Sequence, residues 1–82
     1  MVDASYEDTF IKRYKGIKDS SLKLHIKKQI AKIIKNPEIG KPMKYGRKGT
    51  RELYIGPFRL SYGYFKHQNL IVFINLYHKN EQ

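Results

Sequence analysis

The sequence predicts an α+β fold: a short N-terminal strand, an antiparallel helical hairpin, then a three-stranded antiparallel meander, with the helices on one face of the sheet. Three features predict it. Up to residue 34 the apolar residues recur at helical spacing. From residue 51 onward come three runs with strand character, separated by Gly56-Pro57 and by residues 66–69. Between the two regimes lie Asn36-Pro37 and a stretch rich in glycine and lysine that suits neither element.

Each element has a local reason. Residues 2–5 are the expected first strand. Ser5 and Asp8, three positions apart, resemble a capping box, so the first helix is expected to start there. Phe10, Tyr14 and Ile17 then fall on one helical face. Gly16 weakens the last turn, and residues 18–21 form a connector. Ser20 or Ser21 is the expected cap of a second, longer helix. In it Leu22, Ile26, Ile30, Ile33 and Ile34 fill an arc of about 120° on a helical wheel, with Lys28, Lys32 and Lys35 opposite. Pro37 keeps Asn36 out of the α region and ends the helix. A short connector between two helices implies an antiparallel pair. Residues 39–50 are expected to be loop. Strands are expected at 51–55, 58–65 and 70–77, with Gly56-Pro57 breaking the first from the second and residues 66–69 turning the hairpin.

Composition narrows the function. The chain has 82 residues, which suits one domain over 1–82 and excludes large folds. Hydrophobic residues at 40 %, with 7 Tyr and 4 Phe, suffice for one modest core. There is no cysteine, hence no disulfide, thiolate-bound zinc or thiol nucleophile. Three scattered histidines and few acids make no metal-ligand cluster, and no cofactor is implied. The longest apolar run, residues 70–74, is far below the roughly 20 residues of a membrane span. With Asp3, Glu7 and Asp8 near the start and no apolar segment after them, a signal peptide is not indicated, and a cytoplasmic location is expected. The charge is the most informative bulk feature. The net value is +10, and residues 9–51 hold 14 of the 17 basic residues against two acids, Asp19 and Glu38. Such asymmetry favours a polyanion or an acidic partner. Thirteen lysines against four arginines are also compatible with a merely soluble surface.

Strand parity locates a candidate site. If Leu70, Val72, Ile74 and Leu76 face the helices, then Ile71, Phe73, Asn75, Tyr77 and, one step on, Lys79 face away. In the strand before, Phe58, Leu60, Tyr62 and Tyr64 face inward, and Arg59, Ser61 and Gly63 outward. Leu53 and Ile55 point in, Glu52 and Tyr54 out. The outer face thus gathers Glu52, Tyr54, Arg59, Ser61, Asn75, Tyr77 and Lys79. Cations for phosphates and rings for unpaired bases are the equipment for single-stranded RNA. An ordinary half-wet sheet face carries the same residue types.

Asn36-Pro37 closing an amphipathic helix, the glycine-containing basic loop, Arg51-Glu52-Leu53-Tyr54-Ile55, Phe58-Arg59-Leu60-Ser61-Tyr62 and a last strand ending in His78-Lys79 together resemble the RelE/ParE toxin superfamily. The resemblance spans nearly the whole chain. It implies the fold inferred above and a toxin of a type II toxin–antitoxin system, neutralised by a cognate acidic, RelB-like antitoxin. RelE-like members are ribosome-dependent mRNA endoribonucleases; ParE-like members instead inhibit DNA gyrase. For a RelE-like chain the implied partners are the ribosome and mRNA. Arg59 then takes the place of the family's sheet arginine, and Lys79 that of the basic residue after the last strand. His78 matches a position that is often His or Lys. The resemblance gives Arg59, Lys79 and His78 catalytic roles. It gives Lys44, Arg47, Lys48 and Arg51 phosphate contacts, with Tyr54, Ser61 and Tyr77 completing the RNA surface. Parity, however, puts His78 on the aliphatic face, where a structural role serves as well. Two departures favour the alternatives, a ParE-like binder or a catalytically impaired RNA-binding relative. Glu52 stands where RNA-cleaving members carry Lys, and no Tyr follows Lys79.

Overall fold

The computed structural model, which describes residues 2–43 and 49–81, contains one five-stranded sheet and two helices. In chain order these are β1 (Asp3–Tyr6), α1 (Asp8–Gly16), α2 (Ser20–Lys35), β2 (Lys41–Pro42), β3 (Thr50–Ile55), β4 (Phe58–Phe65) and β5 (Leu70–His78). The strand order is β1-β5-β4-β3-β2. The β3-β4-β5 meander is therefore the centre of a larger mixed sheet, with β1 parallel to β5 on one edge and β2 antiparallel to β3 on the other. β2 lies inside the stretch expected to be loop. Two residues are too few to leave an alternation in sequence.

The start of α1 differs from expectation. Ser5 belongs to β1, and Glu7 is the N-cap, with no side-chain cap. Tertiary contacts replace the capping box. The Glu7 N–H donates to the Phe73 carbonyl at 2.9 Å, and the Tyr6 ring stacks on Phe73 at 5.0 Å. For α2 the cap is Asp19, one residue before the serines. Its Oδ1 accepts from the N–H groups of Ser21 (2.9 Å) and Leu22 (3.2 Å). A carboxylate also complements the positive end of the helix dipole. Tyr14 lies by Lys23 of α2, and Ile11 and Phe10 share a groove with Lys27 and Ile30, so the helices run antiparallel.

The core lies between the helices and one sheet face. Ile26 and Ile33 of α2 and Phe10 of α1 are buried against Ile55, Leu60, Tyr62, Ile71, Phe73 and Leu76. Here the expected parity of β5 fails in its first half. Ile71 and Phe73 are the inward residues, while Leu70, Val72 and Ile74 are only half-buried. The reason is a bulge: Ser61 pairs with Asn75 but Tyr62 pairs with Phe73, leaving Ile74 without a partner. One extra residue flips the alternation. Beyond it Leu76 points in, and Asn75 and Tyr77 face out as expected. Among the described residues the backbone turns left-handed at Gly49 (φ 85°), Gly56 (φ 56°) and Asn69 (φ 52°), residue types that tolerate it.

Tyr62 ties the end of α2 to the sheet. Its buried hydroxyl donates to the Pro37 carbonyl at 2.7 Å and accepts from the Gly40 N–H at 2.9 Å. A Cβ on Gly40 would stand 2.7 Å from that hydroxyl oxygen, so only glycine fits. Burial raises the Tyr62 pKa above the ordinary tyrosine value, outweighing the Gly40 hydrogen bond and the Arg51 charge, which lower it. Among the described residues no helix is long and apolar enough to cross a membrane.

Candidate functional site

The face of the sheet away from the helices carries two cross-strand rows. Tyr54 of β3, Arg59 of β4 and Tyr77 of β5 are direct neighbours in register, and so are Glu52, Ser61 and Asn75. Alternation positions the residues of β3 and β4, and the β5 bulge delivers Asn75 and Tyr77 to this side.

The contacts among them are specific. The Arg59 guanidinium lies over the Tyr54 ring, 4.6 Å from its centre, in a cation–π stack. Arg59 Nη1 stands 3.8 Å from Glu52 Oε1, an ion pair too long for a hydrogen bond. Glu52 Oε2 accepts from the Tyr77 hydroxyl. By register Tyr77 is opposite Arg59 and Glu52 is opposite Ser61, so this hydrogen bond spans the middle strand. Ser61, which lies between Glu52 and Asn75, is only 8 % exposed. Tyr54 is 55 % exposed, a ring available for stacking. Lys41 of β2 brings its Nζ to 5.9 Å from the same ring. Sequence reasoning missed Lys41, because the short strand that places it left no signal.

The other expected site residues separate. Arg51 is on the opposite face, since it pairs with the inward Tyr62. Its Nη1 donates to the carbonyls of Glu38 (3.0 Å) and Gly40 (2.7 Å). It clamps the segment after α2 rather than offering itself to a phosphate. The alternation that turns Leu53 and Ile55 inward accounts for that face. His78 also lies on the helix side. It pairs with Phe58, meets that ring edge-on at 5.4 Å, and its Nδ1 accepts from the Asn80 N–H. The structure thus separates His78 from Arg59 by the thickness of the sheet. Lys79 does not continue the strand as expected. β5 ends at His78, and Lys79 opens a terminal 3-10 turn, exposed, with its N–H donating to the Pro57 carbonyl at 2.9 Å. That bond keeps it at the Arg59 end of the sheet. Lys44, Arg47 and Lys48 lie outside the described residues. Among the described residues no group of three His, Cys, Asp or Glu could hold a metal ion.

A second surface lies between the helices. Tyr6, Phe10, Ile11, Tyr14 and Ile30 line an open apolar groove of about 390 Å³, with Lys15 and Lys27 at its rim.

The fold has counterparts among known proteins. A family profile for the ParE toxin of type II toxin–antitoxin systems, parDE, matches residues 5–82. No curated protein matches the chain by sequence. Among solved structures, the isolated Escherichia coli RelE toxin superposes with a TM-score of 0.81 at 14 % identity, covering 95 % of this chain and 84 % of that one. The intact E. coli RelBE toxin–antitoxin complex matches with a TM-score of 0.79 at 14 % identity, over 93 % and 94 % of the two chains. The RelBE2 toxin–antitoxin complex of Mycobacterium tuberculosis gives 0.78 at 18 % identity, over 94 % and 96 %. At these identities the likeness is one of fold.

Proposed function

The chain belongs to the ParE toxin family of type II toxin–antitoxin systems, within the RelE/ParE superfamily, and from that premise we propose that it inhibits translation as a ribosome-dependent mRNA endoribonuclease. The observation that supports this reading best is the Tyr54-Arg59-Tyr77 row, an arginine between two tyrosines on the sheet face opposite the helix-packed core. Cleavage of this class has the 2′-OH of a nucleotide attack the adjacent phosphorus, expelling the 5′-oxygen of the next nucleotide. The nucleophile belongs to the substrate, so the protein has mainly to orient it and offset charge on the phosphorane. Arg59 suits the second task, being always charged and able to grip two phosphate oxygens. Tyr54 stacks a base. Lys79, at the same end of the sheet, is the candidate second cation. Alignment by the ribosome makes up for a site with few catalytic groups, and the protein acts in the cytoplasm.

Primer extension on ribosome-bound mRNA tests this. The wild type is expected to give discrete stops that Arg59→Ala abolishes. Absence of cleavage by the wild type rejects the ribonuclease reading. A second reading, a ParE-like inhibitor of DNA gyrase, is favoured by the Glu52 carboxylate beside Arg59, which opposes binding of a phosphate there. Inhibition of DNA supercoiling by the purified protein supports that reading.

The antitoxin completes the proposal. An acidic helix laid in the groove between α1 and α2 would bury Tyr6, Ile11 and Tyr14 while its carboxylates meet Lys15 and Lys27. Several of the solved structures of this fold are toxin–antitoxin complexes.

A further inference from the structure

Glu52 is the one acid on the outer face of the central strands, and it sits among the groups a phosphate would use. One carboxylate oxygen is held by the Tyr77 hydroxyl, which reaches it across β4. The other is turned to the Arg59 guanidinium, 3.8 Å from Nη1. The Glu52 side chain is 12 % exposed and that of Arg59 25 %. Such shielding makes the charge felt more strongly than it would be at an open surface. A carboxylate and a phosphodiester present the same feature to an arginine, a pair of oxygens sharing negative charge.

We propose that Glu52 is an internal counter-anion of the Arg59 site, occupying the place of an RNA phosphate and setting how tightly the face binds a nucleic-acid backbone. The inference rests on the reading of this face as an RNA surface. It goes beyond that reading by assigning Glu52 a specificity role. The long Glu52–Arg59 distance is part of the argument. The guanidinium is neutralised without being gripped, so an incoming phosphate that makes two short hydrogen bonds replaces a weaker partner. Tyr77 acts as the holder. Its hydroxyl fixes the carboxylate over β4, so the ring serves the internal anion before it serves any base. An isolated phosphate gains only that exchange at Arg59. A strand that also stacks on Tyr54 competes well, which makes binding selective for unpaired RNA over free anions.

The test measures fluorescence-anisotropy binding of the full chain to a labelled 2′-O-methyl RNA roughly ten nucleotides long, which cannot be cleaved. Glu52→Gln keeps the shape and still accepts from the Tyr77 hydroxyl, but removes the charge. It is expected to bind about tenfold tighter than the wild type. Glu38→Gln, the same charge change on an exposed residue elsewhere, is expected to shift affinity by less than about twofold. The gain must need Arg59, so Glu52→Gln/Arg59→Ala is expected to bind no tighter than Arg59→Ala. Glu52→Ala gives a second measure should Gln perturb folding. If Arg59→Ala weakens binding while Glu52→Gln and Glu52→Ala match the wild type, the counter-anion role is wrong and the RNA surface stands. Equal gains from Glu38→Gln and Glu52→Gln overturn it too, because the effect is then only net charge. If Arg59→Ala binds as well as the wild type, or no variant binds, the reading of the face itself fails.

Discussion

Arg51 and Arg59 are eight positions apart in the chain and on opposite faces of the sheet, and they are expected to fail in different ways. Arg51 donates to two carbonyls of the segment that follows α2. Arg51→Ala is therefore expected to lower stability by about 1–3 kcal/mol in urea unfolding, with RNA affinity of the folded fraction unchanged. Arg59→Ala is expected to leave the urea midpoint nearly unchanged and to weaken RNA binding about tenfold or more. Tyr62 is the second structural anchor. Tyr62→Phe strands the Gly40 N–H and one acceptor of Pro37, and a loss of about 1–3 kcal/mol is expected. It also has a pH signature. The folded pKa of Tyr62 is raised by burial, so its contribution is complete below the unfolded value near 10. It declines as pH rises from there through the folded pKa, because the unfolded chain releases the proton first. Wild-type stability is expected to fall above about pH 10 more steeply than that of Tyr62→Phe, as read by chemical denaturation across that range.

At the scale of elements, the bulge in β5 decides which residues are core and which are site. Ile71→Ala is expected to cost about 2–5 kcal/mol, whereas Val72→Thr, on the half-buried side, is expected to cost about 1 kcal/mol or less. Strict alternation through the strand predicts the reverse order, so the pair tests the bulge directly. This is also where the sequence was least legible. Residues 70–74 are all apolar, so nothing in composition distinguishes the inward set from the outward one. The bulge follows from pairing with β4, which a single strand does not record. By contrast α2 was plain in sequence, because five apolar residues on one arc and a closing Asn-Pro leave one reading. Its cap was misplaced by one residue because Asp19, Ser20 and Ser21 are all competent caps. The outer face was legible on β3 and β4, where polar and apolar residues alternate cleanly. Parity also gave His78 the helix side it occupies, and legibility ended only at Lys79, where the strand stops and the chain turns. The partnership of β1 with β5 had no sequence signal, since β1 is exposed along its whole length and parallel pairing depends on a distant strand.

At the scale of the whole molecule, the two surfaces divide the work. Helices and core fill one side of the sheet, the arginine row lies on the other, and the apolar groove opens between the helices. A net charge of +10 on 82 residues draws the chain toward any polyanion, so salt separates general attraction from site binding. RNA affinity is expected to fall log-linearly with salt, and Arg59→Ala is expected to lessen the slope by about one phosphate's share. The central claim is that RNA lies across the outer face of the sheet, over Tyr54, Arg59 and Tyr77. Backbone amide NMR on titration with an uncleavable single-stranded RNA tests it most directly. The largest shifts are expected at Glu52, Tyr54, Arg59, Ser61, Asn75 and Tyr77, with α1 and α2 nearly silent. Shifts concentrated on the lysines of α2, with the sheet face unmoved, would contradict the account.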